Sequence, residues 1–333
     1  MEHIRILSKG VTLKTVSVVI PMRNEAEILE RCLEAMENLN YPEDLLEIVI
    51  VNDGSTDNTS ELIRNGDWSF NYQYIETSGV GVSRARDIGF RSASGDFIAF
   101  TDADCVVDED WILKLLEPFE DDVAAVGGPN LTPEDDEPFA RCVGLALSFL
   151  SKPGARYAYE GSKIREIHHN PTCNVMYRKD VLEEVNGFNH DLVTTDDEEL
   201  DYRIRQRGYR ILYTPFARVK HYRRPNWKKF MRMAYYYGLG RMQSTKLHPD
   251  MARWFHFAPV LFILAIISLA VLSFFNGIFM VILASLALLY LAGVFLVSMV
   301  YTRKSECALL TFFMFVNVWI LLYGAGMMRG GFR

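Results

Sequence analysis

Several things are scarce in this 333-residue chain. It has five cysteines, Cys32, Cys105, Cys142, Cys173 and Cys307, dispersed and with no C-x-x-C pair. An odd, scattered set argues against a disulfide framework and a zinc site, so buried thiols in a reducing compartment are expected. Positive charge is not in excess. The formal net charge is −7, and nucleic acid is not an expected partner. Residues 1–14 are polar and mixed, without the apolar core of a secretory signal. There is no convincing internal repeat and no low-complexity tract. Charged side chains are missing altogether from residues 257–275, 278–300 and 308–328. Each of these apolar runs approaches or exceeds the ~20 residues that cross a bilayer. Three transmembrane helices are therefore expected, although Asn317, Gly324 and Gly326 leave a re-entrant third segment open.

What is present divides the chain in three. Residues 1–225 alternate β-branched runs with amphipathic stretches. Strands are expected at 16–21, 47–52, 72–77, 96–102, 123–128 and 210–213. Helices are expected at 25–36, 56–64, up to 93, 139–150, 179–185 and 197–206. Such alternation implies an α/β domain with a largely parallel sheet. Residues 226–255 carry Lys228, Lys229, Arg232, Arg241, Lys246 and Arg253 against a single acid, Asp250, interleaved with Trp227, Phe230, Tyr235, Tyr236, Tyr237 and Trp254. Basic and aromatic residues mixed on amphipathic helices suit a membrane interface. Residues 256–333 form the transmembrane region. Arg303 and Lys304 lie between the second and third spans, whereas Asn276-Gly277 is an uncharged turn. The positive-inside rule then places the first 255 residues in the cytosol, with Arg329 and Arg333 in mild conflict.

Polar residues gather where the strands end. Thr101-Asp102-Ala103-Asp104-Cys105 closes the fourth apolar run. In an extended chain Asp102 and Asp104 would point the same way, at the sheet edge where ligands bind. Two close carboxylates repel unless a proton or a cation separates them, and Mg²⁺ or Mn²⁺ suits such an oxygen pair. Two turn aspartates in solvent are the simpler alternative. Asp53-Gly54 makes a tight turn after the second strand, and Ser55 or Thr56 can cap the helix that follows. Residues 79–87, with Arg84, could bring guanidinium and backbone N–H groups to a phosphate. Asp196 and Asp197 open a helix, where acids favour the dipole, but a carboxylate there could also be a general base. His168-His169 is a weak metal candidate, since adjacent histidines rarely face one ion.

Taken in order, VSVVIPMRNE, VNDGSTDNT, GVGVSRARDIG, TDAD, CNVMYRKDVLEEVNGF and DDEELDYRIRQRGYRILYTP resemble the inverting family 2 glycosyltransferases of the GT-A fold. The likeness covers roughly residues 16–215. It implies a Rossmann-like nucleotide-diphospho-sugar transferase domain, followed here by interfacial helices and a transmembrane region. By position it implies that Pro21, Arg23, Glu25 and Asp53 surround the base and ribose of a UDP- or GDP-sugar. Asp102 would contact the ribose side, and Asp104 the metal-bound diphosphate, with Mn²⁺ or Mg²⁺ as cofactor. Asp197 would be the base, with Asp196 in place of the usual glutamate. Asn174 and His221 fall where the family often contacts acceptor or diphosphate, His221 as a further metal ligand. The Q-x-x-R-W pattern of processive synthases is missing, which argues against processive polysaccharide synthesis. The resulting expectation is transfer of one sugar to a hydroxyl of a lipid-linked acceptor, in contact with membrane lipid at the cytosolic face. A polyprenyl-phosphate glycosyltransferase and a non-catalytic nucleotide-sugar-binding scaffold remain the alternatives.

Overall fold

The computed structural model describes residues 13–150, 163–223, 226–303 and 305–332. The expected domain boundary at Pro225 and the topological residues Lys304 and Arg333 lie outside the described residues.

The chain forms two compact units. The first holds an eight-stranded mixed sheet. Its strands are β1 (Val16–Met22), β2 (Leu46–Asn52), β3 (Tyr72–Glu76), β4 (Phe97–Phe100), β6 (Val123–Gly127), β8 (Arg165–Glu166), β9 (Val175–Arg178) and β10 (Arg210–Tyr213), in the order β3-β2-β1-β4-β9-β6-β10-β8. A smaller sheet joins β5 (Cys105–Val107), β11 (Val219–His221) and β7 (Asn130–Leu131). The helices of this unit are α1 (Leu29–Glu37), α2 (Thr59–Asn65), α3 (Val82–Ser92), α4 (Trp111–Leu116), α6 (Lys179–Glu184) and α7 (Asp196–Gln206).

Every residue of β1 is buried, as expected of a strand covered on both faces. Its side chains alternate between two cores. Val18 and Ile20 join Ile48, Ile50, Leu29 and Leu33 on the α1 side. Val19 joins Val49, Val51, Ala85, Phe90 and Leu200 on the α3 and α7 side. Each fully buried Val, Ile or Leu contributes roughly 1.5–3 kcal/mol, so this double layer fixes the register and the level at which the strands end.

The expected elements are found within a few residues, but the sheet is less uniform than the alternation implied. β3, β2, β1 and β4 run parallel, while β9 lies antiparallel to both β4 and β6. β9 is short and wholly apolar on its buried positions, without the period that separates strand from helix in a sequence.

The second unit comprises Glu134–Leu150, Asp191–Thr195 and Arg223–Arg333, so it takes two segments from within the expected first domain. It contains α5 (Pro138–Leu150), α8 (Trp227–Leu247), α9 (Ala258–Ser273), α10 (Gly277–Thr302) and α11 (Leu309–Gly331). Residues 254–273, α10 and α11 are long and apolar enough to cross a membrane, with mean hydropathies of 2.5, 2.6 and 1.8. α11 is one continuous helix of 23 residues through Asn317, Gly324 and Gly326. Its glycines serve packing: a Cβ on Gly326 would lie 2.0 Å from the Tyr235 carbonyl of α8. Gly238 of α8 meets the Tyr323 carbonyl in the same way, so the two backbones touch.

Cysteine usage also differs from expectation. Cys142 on α5 and Cys307, just before α11, form a disulfide, while Cys32, Cys105 and Cys173 are buried free thiols. The pair is 165 residues apart in sequence, so no spacing could announce it. The expectation that all five cysteines are buried thiols therefore holds for three of them.

Candidate active site

The site lies wholly in the first unit, at the carboxyl ends of β1, β2 and β4. Asn24, just past β1, takes the left-handed conformation, with φ of 56°. Its N–H donates to Ser55 Oγ at 2.9 Å, and its Oδ1 accepts from the Thr56 N–H at 2.7 Å. The loops after β1 and β2 are thereby tied together. Asp53 accepts from Thr77 Oγ1 at 2.5 Å, Val80 N–H at 2.6 Å and Gly81 N–H at 2.9 Å. Gly54 is obligatory beside it. Its φ is +69°, and a Cβ would come within 2.9 Å of the Gly79 nitrogen. Asp53 therefore holds the 79–81 loop as well as lining the edge. Arg23 is exposed, with its guanidinium over Gly79, and Glu25 is half-buried. Pro21 is buried within β1.

Asp102 and Asp104 do not stand in an extended strand. β4 stops at Phe100, and the Cys105 N–H bonds back to the Asp102 carbonyl at 3.0 Å in a tight turn. The turn sends the two carboxylates to different partners. Asp102 Oδ1 lies 3.2 Å from Arg86 Nη2, and the other guanidinium nitrogen, Nη1, lies 3.3 Å from Asp196 Oδ2. Ser83 Oγ also donates to Asp196, at 2.9 Å. Arg86 thus joins the acidic turn to the start of α7. Burial works against its charge, but Asp102, Asp196 and Asp197 outweigh it and hold the guanidinium above its ordinary value. Burial pushes the Asp102 carboxyl up to about 6 against the pull of Arg86, with Asp104 adding to the rise. Asp196 is raised in the same way.

Asp104 faces the second sheet. Its Oδ1 is 3.3 Å from His221 Nε2, and the Tyr222 N–H donates to its carbonyl at 2.9 Å. Ligand atoms of Asp104, Cys105 and His221 lie within 4.8 Å of one another, the one such group among the described residues. Burial pushes the Cys105 thiol well up, so it stays protonated and is a poor ligand for a hard cation. A carboxylate oxygen and an imidazole nitrogen remain, a donor pair that fits Mn²⁺ or Mg²⁺ completed by substrate phosphate and water.

Asp197 is 3.7 Å from His169 Nε2, and His169 Nδ1 is 2.9 Å from Asp201 Oδ2. His168 is exposed, so the adjacent histidines do not converge on an ion. The two remaining expected nucleotide-sugar contacts differ in setting. Asn174 is fully buried, and its amide is committed to structure. Its Oδ1 accepts from Trp111 Nε1 at 2.8 Å, while Nδ2 donates to the Pro129 and Ala217 carbonyls at 3.0 and 2.8 Å. It ties β9 to the neighbouring loops and presents nothing to a ligand. On α3, Arg84 is exposed, whereas Arg86 enters the acidic cluster. Sequence reasoning missed Arg86, and it weighed His169 as a metal ligand rather than as a neighbour of Asp197. For Arg86 a signal existed, since it shares a helix face with Gly89 and Phe90 at i+3 and i+4.

A family model described as glycosyl transferase family 2 matches residues 17–185, about half of the chain. The chain belongs to that family. It is 29% identical over 230 residues to "Probable glycosyltransferase YdaM" of Bacillus subtilis, a match spanning 66% of the chain and 53% of that relative. It is 28% identical over 247 residues to the glycosyltransferase AglE of Haloferax volcanii, spanning 71% of the chain and 76% of the relative. The chain thus spans little more than half of the first relative and about three quarters of the second. In fold it is similar to a mannosyltransferase of Pyrobaculum calidifontis solved with GDP-Man and Mn²⁺. The TM-score is 0.66 at 19% identity, covering 99% of this chain and 92% of that one. The GT-A-like class of the chain, with its C-terminal apolar helices, follows from this likeness and from the sheet described above.

Proposed function

We propose that this glycosyltransferase moves one sugar, with inversion, from a nucleoside diphosphate sugar to a hydroxyl of a lipid-linked acceptor at the cytosolic face of the membrane. The observation that carries the reading is the Arg86 bridge, which joins Asp102 to Asp196, the neighbour of Asp197, at the sheet edge.

Asp53, Arg23 and Glu25 stand at the ends of β1 and β2, where the base and ribose of a UDP- or GDP-sugar would lie. Asp104 and His221 would hold the divalent cation, which supplies charge neutralisation for the departing diphosphate. Asp197 accepts the proton of the acceptor hydroxyl as its oxygen attacks the anomeric carbon from the side opposite the diphosphate. Asp196 is fully engaged with Arg86 and Ser83, which leaves Asp197 as the carboxylate for that task. The apolar helices and the basic, aromatic α8 suit an acceptor carried in lipid.

GDP-mannose and UDP-N-acetylglucosamine, each with Mn²⁺, test the reading on the full-length protein. The cognate donor at ~100-fold over its Kd should stabilise by about 2.7 kcal/mol. It should also release nucleotide faster when membrane lipid extract is added. Stabilisation without any nucleotide release would point to a binding scaffold. Transfer that forms a sugar–phosphate bond would point to a polyprenyl-phosphate acceptor.

A further inference from the structure

One buried network beside the proposed base has been given no task. Asp201 lies one helical turn beyond Asp197 on α7, so the two carboxylates face the same way. It is fully buried. Its Oδ2 accepts from the Asn170 N–H at 2.9 Å, and its Oδ1 accepts from the Tyr177 hydroxyl at 2.8 Å. These bonds fix its rotation. His169 then donates through Nδ1 to Oδ2 at 2.9 Å, which anchors the ring by one nitrogen and aims Nε2 at Asp197. Only 15% of the His169 side chain is exposed, so water screens it weakly.

We propose that His169 is a positioning residue which, anchored by Asp201, holds Asp197 in its ionised, proton-accepting form. The proposal rests on the reading of Asp197 as the base. The surroundings show why the base needs such a partner. On α7 it neighbours Asp196, Glu198 and Asp201. Among the described residues, Arg86 from α3, which also bridges Asp102 and Asp196, and the Tyr177 hydroxyl from β9 interact with it as well. A carboxylate so crowded by others takes up a proton readily unless a cation stands by it. Burial works against the imidazolium, but Asp197, Asp201 and Glu198 together raise His169 to about 9. The ring therefore stays charged at neutral pH.

The test is the pH profile of nucleotide release from GDP-mannose or UDP-N-acetylglucosamine with Mn²⁺, using the full-length protein. In His169→Gln the acid limb should move up by about 1–3 pH units, as expected when a carboxylate loses an adjacent cation. Affinity for the free nucleotide with Mn²⁺ should not change. His169→Lys keeps a positive charge and should bring the limb back towards the wild-type position. Asp197→Asn, run alongside, should be slower on the order of 10²–10⁴-fold at every pH. An unmoved limb in His169→Gln, with Asp197→Asn slowed to that extent, overturns the proposal and leaves the base reading standing. Asp197→Asn at close to the wild-type rate overturns both. The imidazole titration of His169, followed by NMR with labelled histidine, needs neither turnover nor a His169 variant. Its midpoint should fall in Asp197→Asn, and an identical midpoint overturns the proposal.

Discussion

Arg86→Met keeps the length of the side chain and removes its charge. In the wild type the guanidinium spans Asp102 and Asp196 at 3.2 and 3.3 Å, with 9% of the side chain exposed. The variant strands two carboxylates, and the Asp196 side chain is only 6% exposed. Removing one member of a buried ion pair costs about 3–5 kcal/mol, because the charge left behind is uncompensated. At ~2–4 °C per kcal/mol for a domain of this size, the full-length protein in detergent should melt roughly 6–20 °C lower. The cost has a definite sign with pH. Burial already raises both carboxyls while Arg86 opposes the rise, so the variant raises them further. A carboxyl raised by folding destabilises while ionised, so the deficit is greatest at neutral pH and shrinks as the medium is acidified and both groups protonate. Adding Asp196→Asn to Arg86→Met should recover part of the lost stability. A melting temperature for Arg86→Met equal to wild type at neutral pH would refute the bridge as the organiser of this site.

Three further outcomes follow from the same geometry. Asp104→Ala should abolish the Mn²⁺ dependence of nucleoside diphosphate binding measured by calorimetry, and an unchanged metal dependence would remove Asp104 from the cation site. Asn174→Ala takes this partner from the Trp111 N–H and the Ala217 carbonyl, at ~1–3 kcal/mol each, while the Pro129 carbonyl keeps the Val219 N–H at 3.1 Å. It should lower the melting temperature strongly yet spare nucleotide affinity at low temperature, whereas the reverse pattern would restore Asn174 as a donor contact. A cysteine at Arg303 should resist a membrane-impermeant thiol reagent in intact cells. The native free thiols are buried and form no background. Ready labelling would place that loop outside.

Much of this was legible in the sequence, and the remainder has physical reasons. β1, β2 and β4 are continuous apolar runs ended by Asp53 and Asp102, so strand, edge and acidic residues could be read together. β9 and β11 could not, because neither runs into an acidic turn of the kind that marks the ends of β2 and β4. The acidic turn was placed correctly at the sheet edge but not in conformation, since Asp102 and Asp104 diverge to Arg86 and His221 instead of pointing together. Arg84 and Arg86 are two residues apart, about 200° around a helix, so one of them had to face away. The arginine next to buried Gly89 and Phe90 is the one that turns inward. His169 joins Asp201 across 32 residues of sequence, and Cys142 joins Cys307 across 165. Neither pairing leaves a local trace, because each is made by the tertiary fold alone.

The most direct test of the account is Asp197→Asn. Asparagine is nearly isosteric and can keep neighbouring hydrogen bonds, but it cannot take the acceptor's proton. Affinity for the nucleoside diphosphate with Mn²⁺ should match wild type, while sugar transfer falls on the order of 10²–10⁴-fold. Transfer at close to the wild-type rate would contradict the assignment of Asp197 as base and would favour an acceptor, such as a phosphate, that arrives already ionised.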